Sequence, residues 1–300
     1  RSGHDWAREK YPVMYFDLSK GTLESAFHDE LNRFKIAEGI TDIPKRCVFI
    51  SNNFTHVPPL QVQQFGEILC SVAEFGESRP VVLLVDEYDH HIIQNSNNPA
   101  GFEHVMHFLQ TLCSEIKRSA SRIKLALITG ITRSSSGGGG GFTEISDVPR
   151  YGAIAGFTEE ELTQYFESEI NRIARKRGVD EKVIQKEIQE WYNSFSFTSG
   201  LEKVYNPESI RRYFETGVAT IYWPQEGRAS FFWDQLVRKP MAFSNIRVNG
   251  YSSLRYSGSI NEAFPEILMY DTGYLTIGEV SYTNDGPPYR LCFPNMEARI

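Results

Sequence analysis

The residues best placed to do chemistry lie at the end of one apolar run. Val81 to Asp89 reads VVLLVDEYD: five apolar residues, then Asp86 and Glu87. Asp86 offers the hard carboxylate oxygens that hold Mg²⁺, usually through water. Glu87 could then polarise an attacking water as a general base. The plainer alternative is a buried strand that ends in two solvated acids. A second run, Ile128 to Arg133 (ITGITR), ends in Thr132 and Arg133. If its strand lies beside the acidic one, the Arg133 guanidinium can grip phosphate oxygens in bidentate fashion, with Thr132 beside it as a ligand-binding group. An ordinary surface arginine is the alternative there. His90 and His91 follow the acids. Neighbours on a strand point opposite ways, so Asp86, Glu87, Asp89 and the two histidines make a poor transition-metal set.

These residues need a frame, and the surrounding pattern supplies one. Tyr11 to Leu18 is β-rich. Thr22 to Ile36 follows with Leu23, Phe27, Leu31 and Phe34 on one helical face. Val62 to Phe75 is helix-periodic again. Pro80 to Val85 is continuously apolar, as in a central parallel strand buried on both faces. Phe102 to Ile116 reads as a helix, and Lys124 to Gly130 as a second buried strand. Strands alternating with helices predict an α/β fold, a doubly wound and mainly parallel sheet whose strand C-termini share one ligand-binding edge. Ser134 to Gly141 is a low-complexity loop.

Beyond residue 156 the texture changes. Thr158 to Arg177 is an amphipathic helix that opens on Thr158-Glu159-Glu160-Glu161, a capping box with acids in the first turn. Asp180 to Tyr192 is another helix. Alternation over Thr272 to Pro294, around Asn284-Asp285-Gly286, predicts a hairpin. The expected organisation is therefore an α/β core over 1–156 and a mainly helical second domain over 157–300, ending in a small β unit.

Composition narrows the function classes. Of the 300 residues, 41% are hydrophobic and 23% charged, which is a folded chain rather than a disordered tail. A net charge of −7 argues against a surface that wraps nucleic acid. The densest basic cluster, Arg172, Arg175, Lys176 and Arg177, reads as a solvated helix face. Cys47, Cys70, Cys113 and Cys292 fit no zinc spacing and point to a reduced, intracellular and cytoplasmic setting. No apolar run approaches the ~18 residues of a membrane helix. A phosphate-cradling loop needs Gly-x4-Gly-Lys-Ser/Thr, yet the chain has no Gly-Lys dipeptide, so its five-glycine run is not one.

Several segments in order, VVLLVDEYDHHI, ALITGITR, DVPRYGAIAGFTEEEL, KVYNPESI, ILMYDTGYLTIGEV and YRLCFPNMEAR, resemble one family. It is the AAA-ATPase-like family, related to P-loop NTPases and usually followed by a PD-(D/E)XK nuclease-like domain. The resemblance runs from about residue 11 to 300. It implies a P-loop NTPase core, then a helical lid with a winged-helix-like or hairpin end. Asp86 would match the magnesium strand, with Glu87 catalytic and Arg133 the sensor arginine. Asn206 and Pro207 resemble a lid segment that packs near adenine. The family's Gly-Lys-Ser loop precedes the strand matching Tyr11 to Leu18 and is absent here. The segment after Thr132-Arg133 is also serine- and glycine-rich instead of apolar. The expectation is ATP and Mg²⁺ binding with slow hydrolysis in the intact protein, coupled to an attached effector domain, and weak ATP binding by this chain alone. The rival is a non-catalytic module that binds a protein partner or oligomerises.

Overall fold

The computed structural model describes residues 10–40, 60–75, 80–132, 142–199, 202–223, 246–248, 264–281 and 289–299. They belong to two compact units, one of residues 1–142 with 258–261, the other of 143–257 with 262–300.

The first unit is α/β. Its described elements are β1 (Val13–Asp17), α1 (Leu23–Ala37), α2 (Leu60–Phe75), β2 (Val81–Asp86), α3 (His90–Gln94), α4 (Pro99–Arg118) and β3 (Ile123–Ile128). The three strands are parallel, in the order β1-β2-β3. Alternate residues of the strands face the core: Met14 and Phe16 from β1, and Val81, Leu83 and Val85 from β2. They pack with Phe27 and Leu31 of α1, Val62 and Phe65 of α2, and Phe108 and Leu112 of α4. Phe27 is the hub. Its ring stacks on Phe16 at 4.0 Å and meets Phe65 and Phe108 edge-on. Thr22 starts α1 with a reciprocal cap to Ser25, which satisfies two donors at the helix start.

Two expectations need correction. The apolar runs of β2 and β3 predict strands buried on both faces, but the second face is half-buried in β2, at Val82 and Leu84, and open in its neighbours: Val13 of β1 is 48% exposed, and Leu125 and Leu127 of β3 are 53% and 39%. An apolar run shows that both faces are apolar, not that both are covered. His90 and His91 lie in the short helix α3 instead of on a strand, and only His91 is buried.

The two outer strands differ. The Tyr15 amide, on the far side of β1, donates to Glu30 Oε1 at 2.9 Å, and Arg33 pairs with the same carboxylate at 2.7 Å. That edge donor is satisfied by α1. Among the described residues nothing pairs with the far side of β3.

The second unit holds α5 (Glu159–Arg177), α6 (Glu181–Tyr192), α7 (Pro207–Thr216), β4 (Ile246–Val248), α8 (Pro265–Asp271), β5 (Thr276–Val280) and β6 (Tyr289–Cys292). Thr158 and Glu161 form the expected capping box on α5, and Gly178 ends that helix in the left-handed region. Ile170, Ile173, Ile184, Ile188, Tyr192 and Tyr213 make its core. β5 and β6 pair antiparallel as a hairpin, whose turn lies outside the described residues. A third strand, β4, joins β6 on the other side, which the residue pattern does not reveal. The basic cluster is partly internal: Arg177 pairs with Glu187 of α6 at 2.6 Å, and Arg172 donates to the Phe214 carbonyl of α7 at 2.5 Å.

Candidate functional site

The parallel register brings the strand ends together. Asp17, last in β1, lies directly beside Asp86, last in β2. Donors from both flanking strands hold the Asp86 carboxylate. Tyr15 of β1 donates its hydroxyl to Oδ2 at 3.2 Å. Thr129, just past β3, donates its hydroxyl to Oδ1 at 2.5 Å, and the Glu87 amide reaches the same oxygen at 3.0 Å. Burial raises the Tyr15 hydroxyl above the usual phenol range, followed by its bond to Asp86 and the charges of Asp86, Asp17 and Glu87. Three carboxylates thus act on one phenol. Asp17 is steadied separately, by the Ser19 hydroxyl at 2.6 Å and Lys20 at 3.0 Å. The Ser19 bond leads in holding its carboxyl below the usual range.

Glu87 carries the backbone outlier of the site, a φ of +56°. An L-residue in the left-handed region costs roughly 1–2 kcal/mol. The bend turns the chain under β3. The Tyr88 amide then donates to the Thr129 carbonyl at 3.1 Å, and the Tyr88 hydroxyl to the Thr132 carbonyl at 2.7 Å. Asp89 is fully buried. It accepts from the Ile131 amide at 3.1 Å, the Thr132 amide at 2.5 Å and the Thr132 hydroxyl at 2.7 Å. Burial raises the Asp89 carboxyl above its ordinary range, against the lowering from the Thr132 and Ile131 donors. Gly130 leaves no room for a side chain, since a Cβ there would lie 2.5 Å from the Tyr88 ring and 2.6 Å from Asp89 Oδ1.

The expected residues divide accordingly. Asp86 and Glu87 lie at the sheet edge, and Thr132 is bonded to Tyr88 and Asp89, which follow them. Thr132 is buried and its hydroxyl turns inward to Asp89. Arg133 lies outside the described residues. Asn206 and Pro207 belong to the second unit, where they start α7: Asn206 Oδ1 accepts the amides of Glu208 and Ser209, and Pro207 occupies the first turn. Tyr15, Asp17 and Thr129 are site residues that motif reading misses. The available signal was that two strands, YFD and LVD, both end in Asp. Among the described residues no three His, Cys, Asp or Glu side chains are grouped to hold a metal. Mg²⁺ does not need such a cage. It is commonly held by one or two carboxylates, water and substrate phosphates, and an oriented Asp86 fits that donor set.

Comparison with known proteins bears on the first unit. Residues 2–138 match the family model AAA-ATPase_like, described as "Predicted AAA-ATPase". A relative from Azotobacter chroococcum mcd 1, "Uncharacterized protein in vnfD 5'region", is 30% identical over 300 residues, which is 98% of this chain and 54% of the relative. The chain thus spans about half the length of that relative. No solved structure matches. No described helix is long and apolar enough to cross a membrane. Over residues 2–138 the chain is similar to the predicted AAA-ATPase family.

Proposed function

We propose that the C-terminal edge of the β1-β2-β3 sheet binds Mg-ATP in the intact protein and hydrolyses it slowly, as a conformational switch. The observation that carries this reading is the Asp86 carboxylate, held in one orientation by Tyr15 and Thr129 from the two neighbouring strands. An acid fixed this way at a parallel-strand terminus is preorganised for a hydrated cation. Magnesium bound there would supply charge neutralisation to the phosphate oxygens. Glu87 accepts a hydrogen bond from the attacking water and orients it. Arg133 senses the terminal phosphate, and Thr132, bonded to Asp89, steadies the segment that leads to it. Nucleotide binding then shifts the conformation and passes the signal to an attached domain.

Glu87→Gln tests the assignment. The variant should bind Mg-ATP as the wild type does while losing turnover. Undiminished turnover removes Glu87 from the mechanism. A second reading, a non-catalytic interaction module, is favoured by the open apolar sheet face at Val13, Leu125 and Leu127. Absence of Mg-ATP binding by the intact protein in calorimetry would decide for it.

A further inference from the structure

Asp89 is a fully buried carboxylate that accepts from the Ile131 amide and from the amide and hydroxyl of Thr132, in the loop after β3. Burying a charge this way is a poor route to stability, because an apolar side chain of similar volume serves as well or better. What it provides is registration. Either side of Glu87 is tied to the segment after β3: Asp86 to the Thr129 hydroxyl, Tyr88 to the carbonyls of Thr129 and Thr132, and Asp89 to the amides of Ile131 and Thr132. Gly130 lets the two segments close to contact. The left-handed backbone at Glu87 persists because its neighbours leave it no other conformation.

We infer that Asp89 is a positioning residue: it locks the segment 129–132 to the Glu87 turn, so that the acid that orients water and the loop that follows β3 keep one fixed geometry. This rests on the nucleotide reading given above. Asp89 itself lies beneath the edge and acts through Glu87 and Thr132. A displacement of about 1 Å at a reacting group can lower a rate on the order of 10²-fold.

The test compares wild type, Asp89→Ala, Asp89→Asn and Thr132→Val in the intact protein. Its readouts are amide hydrogen exchange over 129–132 and steady-state Mg-ATP turnover. Asp89→Ala should speed exchange at 129–132 and leave α5 to α7 unchanged. It should lower kcat on the order of 10²-fold while KM for Mg-ATP moves less than about threefold. Asp89→Asn keeps an acceptor for the Thr132 donors and should recover most of kcat. Asp89→Ala with faster exchange and unaltered kcat overturns the inference, as does a loss of kcat in Asp89→Asn equal to that in Asp89→Ala. If Asp89→Ala does not fold, Thr132→Val removes one bond of the same lock, and an unchanged kcat there overturns the inference. Wild-type protein without turnover defeats the nucleotide reading itself. Wild-type turnover with an unaffected Asp89→Ala defeats only the lock.

Discussion

Replacing Glu87 by Gly and by Ala isolates the strain stored beside the acidic strand end. Both variants remove the carboxylate and differ only in Cβ, so lost side-chain contacts cancel in the comparison. At φ +56° the Ala variant retains the left-handed penalty of roughly 1–2 kcal/mol, and Gly does not. Gly loses roughly 0.5–1 kcal/mol more backbone entropy than Ala on folding. The balance favours Gly by about 0.5–1 kcal/mol, the reverse of the order found within helices and strands. For a unit of this size, 1 kcal/mol moves a midpoint by roughly 2–4 °C. Differential scanning calorimetry should therefore place the first-unit transition of Glu87→Gly about 1–4 °C above that of Glu87→Ala. Both variants should lack Mg-ATP turnover. Glu87→Val should fall below Ala, because a β-branched side chain is least tolerant of positive φ. An Ala variant as stable as Gly, or more so, would refute the strain argument and the overdetermined turn with it.

Phe27→Ala empties the centre of a four-ring cluster, and chemical denaturation should show a loss of about 3–5 kcal/mol from the first unit. His91 is buried, and its imidazole is pushed below the usual range by burial first and then by His90. A depressed folded value means that the fold disfavours the proton. Its contribution is complete above the ordinary value near 6.5 and is lost as pH falls through that value toward the folded one. Thermal midpoints between pH 7.5 and about 5 should fall more steeply in wild type than in His91→Asn, and parallel curves would sink the assignment. Glu297→Ala orphans two backbone amides and a hydroxyl in the second unit, and should cost about 3 kcal/mol or more by urea unfolding.

Local chemistry was legible, and long-range pairing was not. The Thr158–Glu161 capping box, the Asp180 cap and the left-handed Gly178 follow from residues within a few positions of one another. The parallel sheet follows from apolar runs alternating with helical faces. Asp89 is different. In the residue string it looks like one more exposed acid in DEYD, while its donors lie 42 and 43 residues away. Tyr15 and Thr129 likewise reach Asp86 only through strand register, which no local pattern states. The open sheet face was unreadable for a related reason: hydrophobicity records what a strand can bury, not what is there to cover it. Asn206 shows a local signal of another kind. Asn followed by Pro is the pattern of a helix start, and the Asn206 side chain caps α7.

Glu297 also dictates the order in which the second unit can be completed. It receives the Tyr222 and Trp223 amides and the Ser209 hydroxyl, the last from 88 residues upstream, while neighbouring Asn295 holds the Asn193 carbonyl. At typical synthesis rates α7 waits roughly 4–18 s after Ser209 is made before its partner exists. During that interval a nascent chain has α5, α6 and α7 but not the carboxylate that closes them. The second unit is therefore closed last from its C-terminal side, and a ribosome paused shortly before residue 297 would leave the Ser209, Tyr222 and Trp223 donors without their carboxylate.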